Sequence, residues 1–367
     1  MIGLLFITIS IGVGTRLFLN TERFGKHPSG ERLIKIKQSP NYKNGGFQNL
    51  NHTPMLTEGV GYGKVIYKFF FTSKPKEPSK NIPSVKTNLK NLDTNDNVLI
   101  WMGHSSYFIQ LDGKKILVDP VLSGHASPLS FTTKAYNGAD IYTTDDIPDI
   151  DYVFLSHDHW DHLDYKTLKQ LKPKIRKVIT GLGMGAHLEH WGFTSEVIFE
   201  GDWYDTISTT DGFEIHITPA RHFSGRGFKR AKTLWASFLL KSPTTTIYLG
   251  GDSGYDTHFK TIGEKFGPID LVILENGQYD EMWKYIHMLP GEQLKAANDL
   301  KAKACLPVHS GKFTLANHDW DEPFKNITNE AKQSQVKVIT PLIGEQVNLN
   351  DSKQQFKHWW NLITNEN

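Results

Sequence analysis

From Asn97 onward, short apolar runs separated by turn residues recur at strand spacing. Residues 98–101 and 106–111 read as strands, Asp112-Gly113 is a hairpin turn, and residues 115–118 return as a third strand. Residues 152–155 are wholly apolar, the pattern of a strand covered on both faces, and a short helical repeat follows at 166–171. Strands are predicted at 177–180 and 196–199. A hairpin of 205–209 and 213–218 turns at Asp211-Gly212, and strands follow at 235–240 and 245–249. Helical stretches at 258–266, 291–301 and 324–333 alternate with strands at 271–274, 304–307 and 336–339. Hairpins followed by mixed β and α units predict an α/β body with two sheets between helical layers.

The first 96 residues lack this texture. Residues 2–14 form an apolar run that Arg16 interrupts. The run is shorter than the roughly 18 residues of a membrane span. It matches a signal core in length but has no basic start and no small-residue cleavage site. The leading expectation is membrane association through residues 1–20, with the side of the membrane open. A signal-like segment and a start packed on the body of a cytoplasmic protein are the alternatives. Residues 21–57, rich in Lys, Asn, Gly, Pro and Ser, read as an extended arm. Residues 63–72 read as a strand or buried segment, and the prolines of 74–97 predict a linker or covering loop.

Composition narrows the function classes. The 367-residue chain carries 41 Lys and Arg against 39 Asp and Glu, a net charge of +2 that excludes a nucleic-acid binder held by charge. With 38% hydrophobic and 22% charged residues the chain is not a disordered one. The single cysteine, Cys305, excludes an intrachain disulfide and a thiolate metal cage, and reads as a small core residue.

The chemistry concentrates in Ser156-His157-Asp158-His159-Trp160-Asp161-His162, directly after the apolar strand at 152–155. Imidazoles and carboxylates on one strand-to-helix loop suit a pair of metal ions. His157 and His159 can hold one, while Asp161 and His162 turn toward a second, with zinc favoured and manganese or iron admitted. His222, Asp252 and His309 each follow a predicted strand, where α/β sheets place their sites. A carboxylate such as that of Asp252 can bridge two ions, and Gly250 and Gly251 let it approach closely. His287, in Tyr285-Ile-His287-Met-Leu-Pro290, is a candidate to contact substrate. Arg226 and Arg230 belong to a basic cluster beside His222 that could guide an anionic group. His104 reads as a residue that orients a ligand or as a satisfied core histidine.

The spacing His157-x-His159-x-Asp161-His162, followed by His222, Asp252 and His309, resembles the metallo-β-lactamase superfamily. Trp101-Met-Gly-His104-Ser, Leu234-Trp235-Ala-Ser237 and His309-Ser-Gly-Lys-Phe313 sharpen the likeness toward N-acyl-phosphatidylethanolamine-hydrolysing phospholipase D and its bacterial relatives. The resemblance implies an αββα four-layer sandwich. It also implies a first metal on His157, His159 and His222, a second on Asp161, His162 and His309, and Asp252 as the bridge. Asp119 matches the family's early structural Asp, and His287 its substrate-contacting histidine.

The division that follows is an N-terminal segment (1–20), an arm and linker packing on the body (21–96) and a hydrolase domain (97–367). The expected activity is a binuclear phosphodiesterase that cleaves N-acylated phosphatidylethanolamine by a metal-bridging hydroxide, with Asp161 as ligand and proton acceptor. The products would be phosphatidic acid and an N-acylethanolamine. The substrate would be a phospholipid or other small ester, a membrane surface would be a partner, and no nucleic acid would be. A lactonase or carboxylic-ester hydrolase with the same metals is the alternative, and a non-catalytic, membrane-tethered metal-binding protein is the alternative of another class. The oligomeric state stays open.

Overall fold

The computed structural model describes residues 2–71 and 74–364, with side chains for 10–71 and 74–363. Its element order begins with α1 (Ile2–Leu19), α2 (Gly30–Lys37), a small hairpin of β1 (Tyr42–Lys43) and β2 (Gly46–Phe47), and α3 (Tyr62–Phe71). The body follows as β3 (Val98–Trp101), β4 (Tyr107–Leu111), β5 (Lys114–Val118), β6 (Ile150–Leu155), α4 (Tyr165–Leu171), β7 (Ile175–Gly181), α5 (Gly185–His190) and β8 (Ile198–Gly201). It continues with β9 (Thr206–Ser208), β10 (Glu214–Thr218), β11 (Ser237–Lys241), β12 (Thr246–Leu249), α6 (His258–Phe266) and β13 (Ile269–Glu275). The remaining elements are α7 (Glu292–Asp299), β14 (Ala302–Val308), α8 (Glu322–Glu330), β15 (Lys337–Val338) and β16 (Gln346–Asn348).

Strand β6 shows how the layers arise. Side chains alternate across a strand. Phe154 therefore enters the core between the sheets, where its ring meets Phe238 of β11 at 5.1 Å. Val153 and Leu155 point the other way, among Leu168 and Leu171 of α4 and Leu188 of α5. On the second sheet, Tyr248, Val272 and Cys305 likewise turn outward onto Phe259 and Ile262 of α6 and Ala296 and Ala297 of α7. The result is the αββα sandwich. One seven-stranded sheet runs β16-β3-β4-β5-β6-β7-β8 and the other β15-β14-β13-β12-β11-β10-β9. In each, the hairpin half is antiparallel and the βα half is parallel. Strand β16 returns from the far end of the chain to pair antiparallel with β3, Val347 opposite Leu99.

The region before β3 departs from expectation. Residues 63–71 form helix, not strand, and Thr72 lies outside the described residues. Tyr62, Val65, Ile66 and Phe69 recur at helical spacing. The aromatic and β-branched composition suggested a strand or buried segment, but the segment joins neither seven-stranded sheet. The arm is not extended throughout, because α2 buries Ile36 in the inter-sheet core together with Phe47 and Ile82. The expected attachment to a membrane through residues 1–20 is overturned. Among the described residues no helix is long and apolar enough to cross a membrane, and Arg16 falls in the last turn of α1.

Candidate metal centre

Every ligand candidate sits where a strand ends. The loop after β6 carries His157, His159, Asp161 and His162. His222 follows β10, Asp252 follows β12 and His309 follows β14. The loops approach so closely that a side chain at Gly251 would meet the Ala236 carbonyl at 2.7 Å and Ser156 Cβ at 2.8 Å. Only hydrogen fits there, which lets Asp252 enter between the two sheets' loops. His104, Asp119 and His309 hold left-handed backbone, with φ of 52°, 40° and 66°. Non-glycine residues adopt it at a cost of about 1–3 kcal/mol each, met here by the surrounding packing.

The side chains converge in two groups around the expected ligands, and a third group joins Asp252 and His309 to Glu275 and His287. His157, His159, His222 and Asp252 can each bring one donor atom within 4.8 Å of the others, and so can His104, Asp161, His162 and His309. Asp252 lies between the first two groups. Its Oδ1 is 3.2 Å from His162 Nε2 and 3.1 Å from His309 Nδ1, and its Oδ2 is 3.7 Å from His222 Nε2 and 3.8 Å from His157 Nε2. This is the arrangement of a bridging carboxylate. The seven residues expected as ligands are therefore brought together.

Partners outside the cluster decide which nitrogens are free. Asp119 accepts from Ser156 N–H at 2.8 Å and Ser156 Oγ–H at 2.6 Å, and its Oδ2 lies 2.8 Å from His162 Nδ1. With Nδ1–H donated to Asp119, His162 turns its Nε2 toward Asp161 and Asp252. His222 Nδ1–H donates to the Ile286 carbonyl at 2.8 Å, so its Nε2 presents a lone pair, 3.2 Å from His159 Nδ1. His162 Nε2 and Asp252 Oδ1 are buried without a hydrogen-bond partner. Lone pairs and carboxylate oxygens facing one another in a dry site repel unless a cation lies among them, so the donor set fits two divalent ions.

Electrostatics agree with this reading. Burial pushes His157, His222 and His309 well below the usual imidazole range and keeps them neutral, as ligands must be. Burial opposes the charges of Asp161 and Asp252, but His162, itself pushed well above the usual imidazole range by these two carboxylates despite its burial, outweighs it and holds both well below theirs; a cation would take the place of that proton.

A cavity of about 390 Å³ opens over these residues. His159, Asp161, His222, Asp252 and His309 form its polar floor, and Val65, Ile66, Phe69 and Phe70 of α3, with Met55 and Leu56, form an apolar wall. His287 and Arg230 also line it. His104 is fully buried, with Nε2 2.9 Å from Asp161 Oδ2. Arg226 is not where a substrate contact was expected. It is buried away from the cavity, stacked 3.8 Å over Trp160, and donates to the carbonyls of Asp158, Leu163 and Arg23. It braces the metal loop against the N-terminal arm.

Two contributors escaped the sequence reading. The apolar wall came from a segment read as a strand or buried segment, with no link to the site. Glu275 closes β13, the position that marked Asp252 and His309 on neighbouring strands, so the same strand-end rule would have found it. Burial raises its carboxyl to about 7, and its Oε2 lies 2.6 Å from His287 Nδ1.

A family model described as a beta-lactamase superfamily domain matches residues 114–310. An uncharacterized protein of Mycobacterium tuberculosis is 35% identical over 331 residues, 89% of this chain and 88% of its own length. N-acyl-phosphatidylethanolamine-hydrolyzing phospholipase D 1 of Caenorhabditis elegans is 29% identical over 233 residues, which is 60% of this chain and 65% of that protein. Among solved structures, Igni18, described as a novel metallo hydrolase from Ignicoccus hospitalis, aligns with a TM-score of 0.53 at 22% identity, covering 68% of this chain and 97% of that one.

Proposed function

The chain belongs to the metallo-β-lactamase superfamily as a metal-dependent hydrolase, and on that premise we propose that it cleaves the phosphodiester of a phospholipid of the N-acylated phosphatidylethanolamine kind. The observation that carries the proposal is the cavity, in which a metal-binding floor meets an apolar helix wall directly. A polar ester at the floor and a hydrocarbon chain along Val65, Ile66, Phe69 and Phe70 satisfy both surfaces at once. The partial likeness to a phospholipase D of this type points the same way.

In this reading His157, His159 and His222 hold one ion, Asp161, His162 and His309 the other, and Asp252 lies between. The histidine-rich donor set favours zinc. When bound, the two ions would activate water as a nucleophile and neutralise charge on the phosphoryl oxygens. Asp161, held ionised, orients the attacking water and accepts its proton. Arg230, on the cavity lining, faces the phosphate charge. His287 meets the leaving oxygen as the P–O bond to the N-acylethanolamine breaks.

The test is turnover of N-acyl-phosphatidylethanolamine in detergent by zinc-loaded protein, with Asp161→Asn as control. Joint release of phosphatidic acid and N-acylethanolamine is expected, reduced about a hundredfold or more in the control. No release from protein holding two ions would defeat the lipid reading and direct the search to lactones and carboxylic esters.

A further inference from the structure

The imidazole of His287 is held by one group. Its ring packs between two residues of the metal cluster, 5.3 Å from His309 and 5.0 Å from His222. Its Nδ1 is 2.6 Å from Glu275 Oε2. The other carboxylate oxygen of Glu275 accepts the Met288 N–H, the backbone next to His287 itself. Glu275 is 1% exposed at the end of a central strand and does not line the cavity. One carboxylate therefore grips both the ring and the backbone of this segment. With Nδ1 engaged, Nε2 is the nitrogen left for the cavity, since among the described residues no hydrogen bond reaches it. A carboxylate that fixes the tautomer and direction of an imidazole is a recurrent way of presenting the opposite nitrogen to a reacting atom.

We propose that Glu275 is a positioning residue that aims His287 Nε2 at the oxygen of the departing group. The assignment rests on the reading of His287 given above. In the step, the attacking water oxygen forms its bond to phosphorus and its proton passes to Asp161. The P–O bond to the leaving alkoxide breaks, and the Nε2 proton of His287 moves to that oxygen. The neutral imidazole that remains keeps its Nδ1–H donated to Glu275.

The test uses two substrates with the same phosphatidyl group, one releasing N-acylethanolamine and one releasing p-nitrophenol, which needs no proton to depart. On the first, Glu275→Ala and His287→Ala are expected to lower kcat by about a hundredfold with KM within about threefold of wild type. On the nitrophenyl ester both variants should stay within about threefold of wild type. The double variant should be no slower than His287→Ala, because the two residues act as one unit. Glu275→Gln keeps the shape without the charge and should fall between. Metal content and circular dichroism, unchanged in each variant, separate this from misfolding.

In nitrogen-labelled zinc protein, the His287 Nδ1–H proton should resonate far downfield and vanish in Glu275→Ala. Equal losses on both substrates, additive losses in the double variant, or a His287 signal indifferent to Glu275 would overturn the proposal. If the wild type hydrolyses carboxylic esters and not phosphodiesters, the function reading fails alone, and alkyl and aryl esters repeat the comparison. If it hydrolyses neither with two ions bound, both readings fall.

Discussion

At the scale of the residue, the centre depends on groups that touch no substrate. Asp119 selects the nitrogen of His162, the Ile286 carbonyl selects that of His222, and Arg226 ties the carbonyls of the metal loop to the arm. His258, at the start of α6, shows what such burial does to stability. Burial depresses its imidazole from 6.5 to about 4 in the folded protein. The unfolded chain then binds a proton first on acidification. The contribution is fully present above pH 6.5 and is lost as pH falls toward about 4, an effect of about 3 kcal/mol. Denaturant titrations at pH 7 and pH 4.5 should show wild type losing more stability than His258→Gln over that interval. Equal losses would show that His258 is not held neutral. The ligands themselves were legible because four of them share one loop and three follow predicted strands. The role of Arg226 was not, since a cationic cluster carries no local mark of which way each member faces, and Glu275 emerges only when the strand-end rule is applied to β13 as well.

At the scale of the element, α3 is the informative piece. A run such as Val-Ile-Tyr-Lys-Phe-Phe-Phe satisfies strand composition and helical spacing alike, so its pattern alone does not decide between them. As a helix it presents Val65, Ile66, Phe69 and Phe70 to the open cavity, and Ile66 and Phe70, like Tyr67 and Phe71, remain exposed. If this wall receives the substrate's chain, Phe69→Asp should raise KM for a long-chain lipid by about tenfold or more, the worth of one lost apolar contact. Turnover of a short, soluble phosphodiester should change less than about threefold. Identical effects on long and short substrates would assign α3 a purely architectural part. Most strands and helices of the body were legible to within a few residues because alternation and turn pairs are local signals, whereas α5 and β16 were not read, and α2 and α3 form in segments read as an arm and as a strand or buried segment.

At the scale of the whole molecule, the proposed metals would join two halves. The loop after β6 belongs to one sheet, and His222, Asp252 and His309 to the other. Metal binding to the folded state alone should stabilise the sandwich by about 3–4 kcal/mol when free metal exceeds its Kd several-hundredfold. Chelation should therefore lower the calorimetric Tm by roughly 5 °C, and readdition of zinc should restore it. An unchanged Tm after proven metal loss would mean that the halves hold together without the ions. The layered architecture was foreseen in outline, but the register of two sheets against each other is a long-range property that no window of sequence contains.

The return of β16 to β3 has a consequence in time. A ribosome delivers Val98–Trp101 long before Gln346–Asn348, by roughly 10–50 s at ordinary rates of synthesis. Throughout that interval the outer edge of β3 is an unpaired row of backbone donors and acceptors, able to template foreign strands. The nascent chain thus passes through its most aggregation-prone stage with most of its catalytic loop already made, and is released from it only by its last strand.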